Sequence, residues 1–375
     1  MIYYVGYYTC DQFREEERIV APAAENKMGY ILSSLSEISE APITVVSAAQ
    51  TKLRRLIKGN RKEIKDSVFL KTFSSFNSKL KIFRILGHTL TRVSFLLYLL
   101  KNVKREDNLV VYHSLAYKGI IKCIHKLKKC NLTIEVEELY SDVTGDERQR
   151  EKEIRYLQIA DSYIFITELL KNEVNIKKPS VISHGTYLSM PDYGFRFEDG
   201  RIHVVYAGTF RKAKGGAYTA IEAAQYLDSR YVLEVLGGGS EEENRAVKQL
   251  IQEVSQKTDC KINYVGFKSG KDFNAYIQAC HIGLSTQQAD AKFNGTSFPS
   301  KVLMYMSNGL RVVSVRIPAV ETSAVGDSIF YYDKQDGEEI ANVIRSVNLD
   351  DGYNSRKQLA DLHNRFVKQL AKLLS

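Results

Sequence analysis

Ile202-His-Val-Val-Tyr-Ala-Gly208-Thr-Phe-Arg211-Lys-Ala-Lys214-Gly215-Gly216 reads as a buried strand, a turn of glycines and cations, and the start of a helix. Ser297-Phe-Pro-Ser-Lys301-Val-Leu-Met304-Tyr-Met-Ser-Asn-Gly309-Leu-Arg-Val-Val313 reads as a polar loop, a short helix and another buried strand. A helix start gathers free backbone N–H groups and about half a positive charge, so two such starts in one sheet domain suggest a seat for a diphosphate.

Around these stretches, short apolar runs alternate with longer periodic ones. Ile202–Ala207, Tyr231–Leu236, Ile262–Val265, Ile282–Ser285, Leu310–Val315 and Ser328–Tyr332 read as strands. Between them, Ala217, Ile221, Ala224 and Leu227 share one helical face, as do Val247, Leu250, Ile251 and Val254. Strands apolar throughout, with helices between, predict a parallel sheet covered on both faces. The N-terminal half repeats the rhythm, with strands expected at Ile2–Val5, Ile43–Val46, Leu109–Tyr112, Leu132–Val136, Tyr163–Ile166 and Val181–Ser183. Helices are expected over Gly29–Leu35, Ser78–Asn102, Tyr117–Lys129 and Asp146–Ala160. Turn-rich Pro191–Gly200 is the expected linker, which divides the chain into 1–195, 196–350 and a terminal helix within 351–375. That helix carries a stripe of Leu359, Leu362, Phe366, Leu370 and Leu373, expected to pack back across the domain junction.

A chain of 375 residues is long for one core, so two domains are the natural expectation. Its 44% hydrophobic and 26% charged content is that of a soluble globular protein. Cys10, Cys123, Cys130, Cys260 and Cys280 are odd in number and lack C-x-x-C spacing, as expected of reduced thiols in a cytosol. The N-terminus has no basic segment followed by a long apolar one, and no signal peptide is expected. The net charge of +9 is uneven: between Lys52 and Lys104 fourteen Lys and Arg face only Glu63 and Asp66, a net +12. The rest of the chain, 39 basic against 42 acidic, sums to −3. Such asymmetry favours an anionic surface as partner. Within this segment Leu80, Phe83, Leu86, Leu90, Val93 and Leu97 form an apolar helical face flanked by Lys79, Lys81, Arg84, Arg92, Lys101 and Lys104. That face either packs on the sheet or lies on an anionic bilayer, where each nearby cation adds roughly 1 kcal/mol.

Several residues carry candidate chemistry. Gly208 ends a strand and allows close approach, Arg211, Lys212 and Lys214 supply cations, and Gly215-Gly216 lets a helix begin tightly. Each charge-assisted contact is worth roughly 1.5–3 kcal/mol. The same turn would also serve as a solvated basic surface. Ser297 fits an N-cap and Pro299 a first helical turn, which points the amides from Phe298 through Ser300 to Lys301 at an anion. In the N-terminal half, Glu137 and Glu138 follow a strand, where neighbouring side chains point to opposite faces. Val111-Tyr-His113-Ser114 is a similar strand end.

Gly208 through Gly215, Leu236-Gly-Gly-Gly239, Tyr264-Val-Gly266-Phe267, Cys280-His-Ile-Gly-Leu-Ser285 and the Pro299-Ser-Lys-x-x-x-Tyr-Met block resemble, in order and spacing, glycosyltransferase family 4 and its bacterial polysaccharide-assembly members. Ile159 through Thr167 and Val181-Ile-Ser-His184-Gly185 are similar to that family's hinge-side sequence. The resemblance covers roughly residues 109–332. It implies a GT-B fold, two Rossmann-like doubly wound parallel-sheet domains facing each other across a cleft. It further implies a retaining, metal-independent transfer, with no cofactor, from a nucleotide sugar to a glycan or lipid-linked glycan acceptor. The location implied is the cytoplasm, peripheral on the inner face of the cell membrane through residues 52–104.

Donor contacts implied by the resemblance fall on Gly208, Thr209, Arg211, Lys214, Gly266, Phe267, Ser297, Phe298, Pro299, Ser300 and Lys301. Glu137 or Glu138 is the implied catalytic carboxylate, positioning an acceptor hydroxyl or stabilising oxocarbenium charge, with a solvated acidic loop as the alternative; His113 is the further catalytic candidate, though a lone histidine at a strand end is more often a hydrogen-bonded structural residue. In such a cleft the Asp11–Arg18 loop would face the acceptor, with Asn26-Lys27-Met28 opening the next helix, but on its residues alone Asp11–Arg18 reads first as an ordinary charged surface loop. The family's two acids in E-x7-E spacing align with Thr296 and Met304, and its arginine with Thr209. Ser300, Asn294 and Gln287 are the substitutes for hydrogen bonding. An inactive transferase-like activator and a basic nucleic-acid-binding protein are the competing readings. No stacking platform or DNA-binding signature supports the latter, and nucleic acid is not expected as a partner. An epimerase of similar architecture has no motif here.

Overall fold

The structure, a computed structural model, describes residues 1–144, 146–212, 215–288 and 296–375. The chain forms two compact units. One holds Met1–Ile166, Leu170–Thr186 and Arg365–Ser375; the other holds Thr167–Leu169 and Tyr187–Asn364.

The N-terminal unit is built on eight strands: β1 Ile2–Gly6, β2 Ile43–Ser47, β3 Arg61–Lys65, β4 Val68–Lys71, β5 Asn108–Tyr112, β6 Asn131–Val136, β7 Ser162–Phe165 and β8 Ser180–Ile182. Their order is β3-β4-β2-β1-β5-β6-β7-β8, parallel except for the β3–β4 pair. The central strands are buried on both faces, which is why they read as unbroken apolar runs. The β3–β4 hairpin was not expected. Arg61-Lys-Glu-Ile-Lys65 is almost wholly exposed and shows no apolar alternation. It is an edge strand, and its charges discourage pairing with another chain.

The C-terminal unit holds β9 Ile202–Thr209, β10 Tyr231–Gly238, β11 Lys261–Gly266, β12 Ile282–Ser285, β13 Arg311–Val315 and β14 Ile329–Tyr332. All six are parallel, in the order β11-β10-β9-β12-β13-β14. The expected strands are all present, to within two residues at either end. Both sheets are doubly wound, as the GT-B reading requires.

The helix expected from Ser78 starts at Lys81, the one expected to reach Ala160 ends at Leu157, and two further helix starts differ because of proline. The first helix spans Pro22–Ile38, beginning at a proline whose missing N–H costs nothing in a first turn, rather than near Asn26. The helix after the polar loop spans Ser300–Ser307, with Pro299 as its N-cap instead of Ser297. A residue preceding proline is held away from helical geometry, so Phe298 stays outside the helix and anchors itself by burial. The terminal helix, Ser355–Leu374, buries Leu359, Leu362, Phe366 and Leu370, with Leu374 in place of Leu373. Phe366 stacks on Tyr30 with ring centroids 5.7 Å apart.

One side chain fastens the centre of the C-terminal sheet. The β9–β12 ladder pairs Ile282 with Val204 and Gly283 with Val205, and then the strands part. The Tyr305 hydroxyl fills the gap, accepting from the Ala207 N–H (2.8 Å) and donating to the Leu284 carbonyl (3.2 Å). Its ring lies on Gly283, where any Cβ would enter the ring. Tyr305→Phe strands a buried N–H and is expected to cost about 1–3 kcal/mol. A thermal melt should show a fall of several degrees in the C-terminal transition, and an unchanged Tm would refute the role.

Candidate functional site

In the C-terminal unit the chain runs from β9 outward through β10 and β11, then returns to β12 and runs outward the other way. The strand order therefore reverses between β9 and β12, where open α/β sheets bind ligands beyond the strand ends. Gly208 and Thr209 end β9, and Ser285 and Thr286 follow from β12. A Cβ on Gly208 would stand 2.6 Å from the Lys301 ammonium nitrogen and 2.9 Å from the Tyr206 hydroxyl. The ammonium also sits over the Tyr206 ring, 4.2 Å from its centroid. The Gly208 notch therefore admits a cation from the Ser300–Ser307 helix to the end of a strand far away in sequence.

A second helix, Gly216–Ala224, starts at the same place. Its N-cap Gly215 has φ +68°, and Gly215 N–H donates to the Lys212 carbonyl at 2.9 Å, closing the turn. Thr286 Oγ1 donates to the Gly216 carbonyl at 2.6 Å and ties the helix start to β12. A Cβ on Gly216 would stand 2.9 Å from the Tyr206 hydroxyl, so this glycine too is needed for close approach. Neither the Gly216–Ala224 nor the Ser300–Ser307 helix has a side-chain cap. By contrast Ser240 and Glu243 form a full capping box on Glu241–Ser255, and Asp336 caps Gly337–Ser346. First-turn amides want an acceptor, and neither Gly215 nor Pro299, the residues at the two N-cap positions, supplies one.

Thr209 and Arg211 are exposed beside this crevice, and Ser297 and Pro299 are half-buried at its loop. Lys214 and Asn294 lie outside the described residues. Gln287 accepts from Ser285 Oγ at 2.9 Å, while its Nε2 is buried and without a hydrogen-bond partner among the described residues. Gly266, at φ +75°, turns the chain at the end of β11 and leaves Phe267 80% exposed. Thr296 is buried, its carbonyl accepting from Thr167 Oγ1 at 2.7 Å, and Met304 is half-buried.

The N-terminal unit has its own reversal, between β1 and β5, and a cluster of charge along one face beside it. Glu135 is fully buried on β6 and accepts from the Tyr4 hydroxyl at 2.5 Å, reaching across β5. Glu137, two residues on and hence on the same face, lies 3.5 Å from the Lys27 ammonium. Lys27 is itself buried and donates to the Ser183 carbonyl (2.5 Å) and hydroxyl (3.0 Å). Burial first, and the neighbouring Glu137 second, push the Glu135 carboxyl up to about 8. Glu137 is raised by burial and held down by Lys27, so the pair holds a proton at neutral pH. Sequence reasoning reached Glu137 but missed Glu135, Lys27 and Tyr4. The signal was the Glu-x-Glu spacing, which places both acids on one face.

Glu138 points the other way and is exposed, its carboxyl raised by partial burial. His113 is 3% exposed, with its ring between Tyr140 and Tyr156. Its Nε2 lies 3.3 Å from Glu153, yet burial lowers its pKa to about 4, and we take it as neutral. His113 thus sits in the wall, among aromatic rings, with its side chain away from solvent.

Among curated proteins no sequence matches this chain. The family model of glycosyl transferases group 1 matches residues 201–350. Among solved structures, sucrose-phosphate synthase from Thermosynechococcus elongatus is similar with a TM-score of 0.67 and 14% identity, covering 99% of this chain and 97% of that one. The E. coli trehalose-6-phosphate structure bound with UDP-2-fluoro glucose is similar with a TM-score of 0.62 and 8% identity, over 99% and 97%. The UDP-forming α,α-trehalose-phosphate synthase from Burkholderia xenovorans in complex with glucose-6-phosphate is similar with a TM-score of 0.60 and 11% identity, over 99% and 96%. At such identities the likeness is one of fold, and that fold is GT-B. The strand-end glycines, the two helix starts and the Lys301 block all fall within residues 201–350, the stretch that the model of glycosyl transferases group 1 matches.

Proposed function

We propose that this chain is a retaining glycosyltransferase that moves a sugar from a nucleotide-diphosphate sugar to a growing, lipid-linked glycan in cell-surface polysaccharide synthesis, in the cytoplasm. The observation that carries the reading is the Lys301 ammonium held at the Gly208 notch, beside two uncapped helix starts at the reversal of strand order. A diphosphate leaving group develops charge as the sugar departs, and fixed amides and ammonium groups stabilise that charge without reorganising. Arg211 and Lys214 add cations from the turn between β9 and the Gly216–Ala224 helix, and exposed Phe267 offers a ring for the base. In this reading no metal is needed, because the cations of the chain take its place. UDP-2-fluoro glucose in one structure of similar fold and glucose-6-phosphate in another support sugar nucleotides and anionic or carbohydrate acceptors as the compounds to try first.

On the acceptor side, Glu137 receives or holds the proton of the incoming hydroxyl, and Glu135, Tyr4 and Lys27 act as positioning residues that set its charge. The Glu135–Glu137 pair suits this role because it exchanges a proton near neutral pH.

Lys301→Ala should weaken binding of a nucleoside diphosphate roughly 10- to 100-fold, the equivalent of one charge-assisted contact. Calorimetric titration with UDP, GDP and dTDP measures this, and Lys214→Ala should remove most of the thermal shift the best nucleotide produces. Absence of any shift with every nucleoside diphosphate and sugar nucleotide would sink donor binding. Release of nucleoside diphosphate with lipid-extract acceptors then tests turnover, and binding without release would favour the inactive-partner reading suggested by Thr296 and Met304.

The acid pair makes a separate prediction. Between the ordinary carboxyl value near 4.5 and about 8, the unfolded chain releases the Glu135 proton while the folded chain keeps it. Stability is therefore lost as pH rises through this window, and the full penalty is present above 8. Glu135→Gln removes the penalty, so its Tm relative to wild type should climb from pH 5 to pH 9. A difference that is constant or falls across that range would show that Glu135 is charged in the native state.

A further inference from the structure

The Lys81–Asn102 helix presents two different faces. Gly87, Thr91, Phe95 and Leu99, spaced four apart, are buried. Thr91 Oγ1 donates to the Ser74 carbonyl at 3.0 Å, Phe95 meets Phe73 edge-on at 5.6 Å, and a Cβ on Gly87 would stand 2.9 Å from the Phe76 carbonyl. The stripe the sequence marked as apolar is elsewhere. Ile82, Phe83, Leu86, Leu90, Val93 and Leu97 fall within about 100° of the circumference, away from the buried line. Each is between 46% and 78% exposed. The expectation that this face packs on the sheet is therefore overturned. Six large apolar side chains in one exposed stripe exceed the scattered exposure of an ordinary surface and mark an interaction site.

Charge identifies the partner. The helix contains no acidic residue, and Lys79, Lys81, Arg84, Arg92 and Lys101 around it are all exposed. A second basic segment is pinned alongside. Ile57 and Ser75 exchange backbone hydrogen bonds at 2.9 and 3.0 Å, Asn77 N–H donates to the Leu53 carbonyl at 2.9 Å, and Thr72 N–H donates to the Asn60 carbonyl at 2.9 Å. These bonds fix residues 53–60 against the strand-and-loop segment that leads into the helix. Lys52, Arg54, Arg55 and Lys58 are exposed there, next to Leu56, itself exposed.

We propose that this face docks on an anionic phospholipid bilayer, with the helix lying in the interface plane, its apolar stripe among the acyl chains and the two basic segments on the headgroups. The helix is long and apolar enough to cross a membrane. It lies flat instead, because its other face is fastened along its length to residues 73–76. A second copy of the chain is a poorer occupant, since pairing two such faces would bring two basic rims together. This inference goes beyond the reaction and does not depend on it.

The chain contains no tryptophan, so a single introduced indole reports one position. Phe83→Trp should show a blue-shifted emission with vesicles of phosphatidylglycerol and phosphatidylcholine, and none with phosphatidylcholine alone. Tyr226→Trp, on the C-terminal unit, should not shift. Replacing Arg54, Arg55 and Lys58 together by alanine should weaken vesicle binding roughly a hundredfold, three surface cations being removed. Leu86→Ser, Leu90→Ser and Leu97→Ser combined should abolish the shift while leaving Tm unchanged, since all three are exposed. No shift with anionic vesicles, an equal shift with neutral ones, or a vesicle-indifferent dimer that the triple serine variant dissociates would each overturn the proposal.

Discussion

The C-terminal unit depends on two strands that part at the right place. β9 and β12 are neighbours only briefly, and beyond Gly283 their backbones diverge. Divergence opens the crevice in which a ligand can sit, but it also leaves an N–H and a carbonyl without ladder partners in the core. The Tyr305 hydroxyl serves both, because one oxygen can accept and donate at once. The same ring holds the Ser300–Ser307 helix against the sheet and so sets where Lys301 projects. Gly283 permits the ring, Gly208 permits the ammonium, and Gly237, at φ +132°, permits β10 to run against the Gly208 carbonyl, where any Cβ would overlap it. The polar crevice is thus supported by a buried hydroxyl and three missing side chains.

That dependence explains which parts of the molecule were legible in the sequence. Parallel strands covered on both faces must be apolar throughout, and twelve of them stand out as such runs. The β3–β4 hairpin failed to show because an edge strand is selected for charge rather than burial, and charge has no period to read. Helix starts were off by a few residues wherever proline set them. Gly208 and Lys301 were legible as candidates, since a glycine ending a strand and a lysine opening a helix are local signals. That they meet was not legible, because nothing local to residue 208 describes residue 301. The Tyr305 role was equally hidden, a tyrosine in an apolar helix being indistinguishable from packing until its hydroxyl is seen to bridge two strands.

The N-terminal unit shows the opposite arrangement of charge. Where the C-terminal crevice gathers an ammonium group and amide N–H groups, the end of β6 gathers two carboxyls, a lysine and a tyrosine in a place nearly closed to water. Two carboxylates so close cannot both ionise without a partner for each, and Lys27 neutralises one. The other keeps its proton because burial and the neighbouring Glu137 charge outweigh the Tyr4 hydroxyl, whose donated hydrogen bond favours the ionised form. Each member is therefore needed to set the charge of the next, which makes the cluster sensitive to single changes. His113 does not take part in that balance. Its ring is enclosed by Tyr140 and Tyr156, its backbone N–H donates to the Glu135 carbonyl at 2.9 Å, and its carbonyl accepts from the Tyr140 hydroxyl at 3.0 Å, so it shapes the wall of the cluster.

Thr296 and Met304 give the C-terminal crevice a character of its own. Acids at these positions would serve hydroxyl groups of a ribose and a sugar, and would also offset the local cations. With a buried threonine, whose carbonyl is engaged by Thr167, and a thioether in their places, neither position adds a carboxylate to the surroundings of Lys301, Arg211 and the helix starts. In the proposed reaction, recognition would lean on the one part of a donor that carries formal charge, its diphosphate, and less on the hydroxyl pattern that distinguishes one sugar from another. A site weighted this way gains affinity from electrostatics, which salt screens, and obtains its selectivity from shape around the base and sugar. Gln287, with its Oε1 held by Ser285 and its Nε2 without a hydrogen-bond partner among the described residues, is a polar group near β12 able to donate a directed hydrogen bond, and in the proposed reaction discrimination among sugars would fall to groups of that kind.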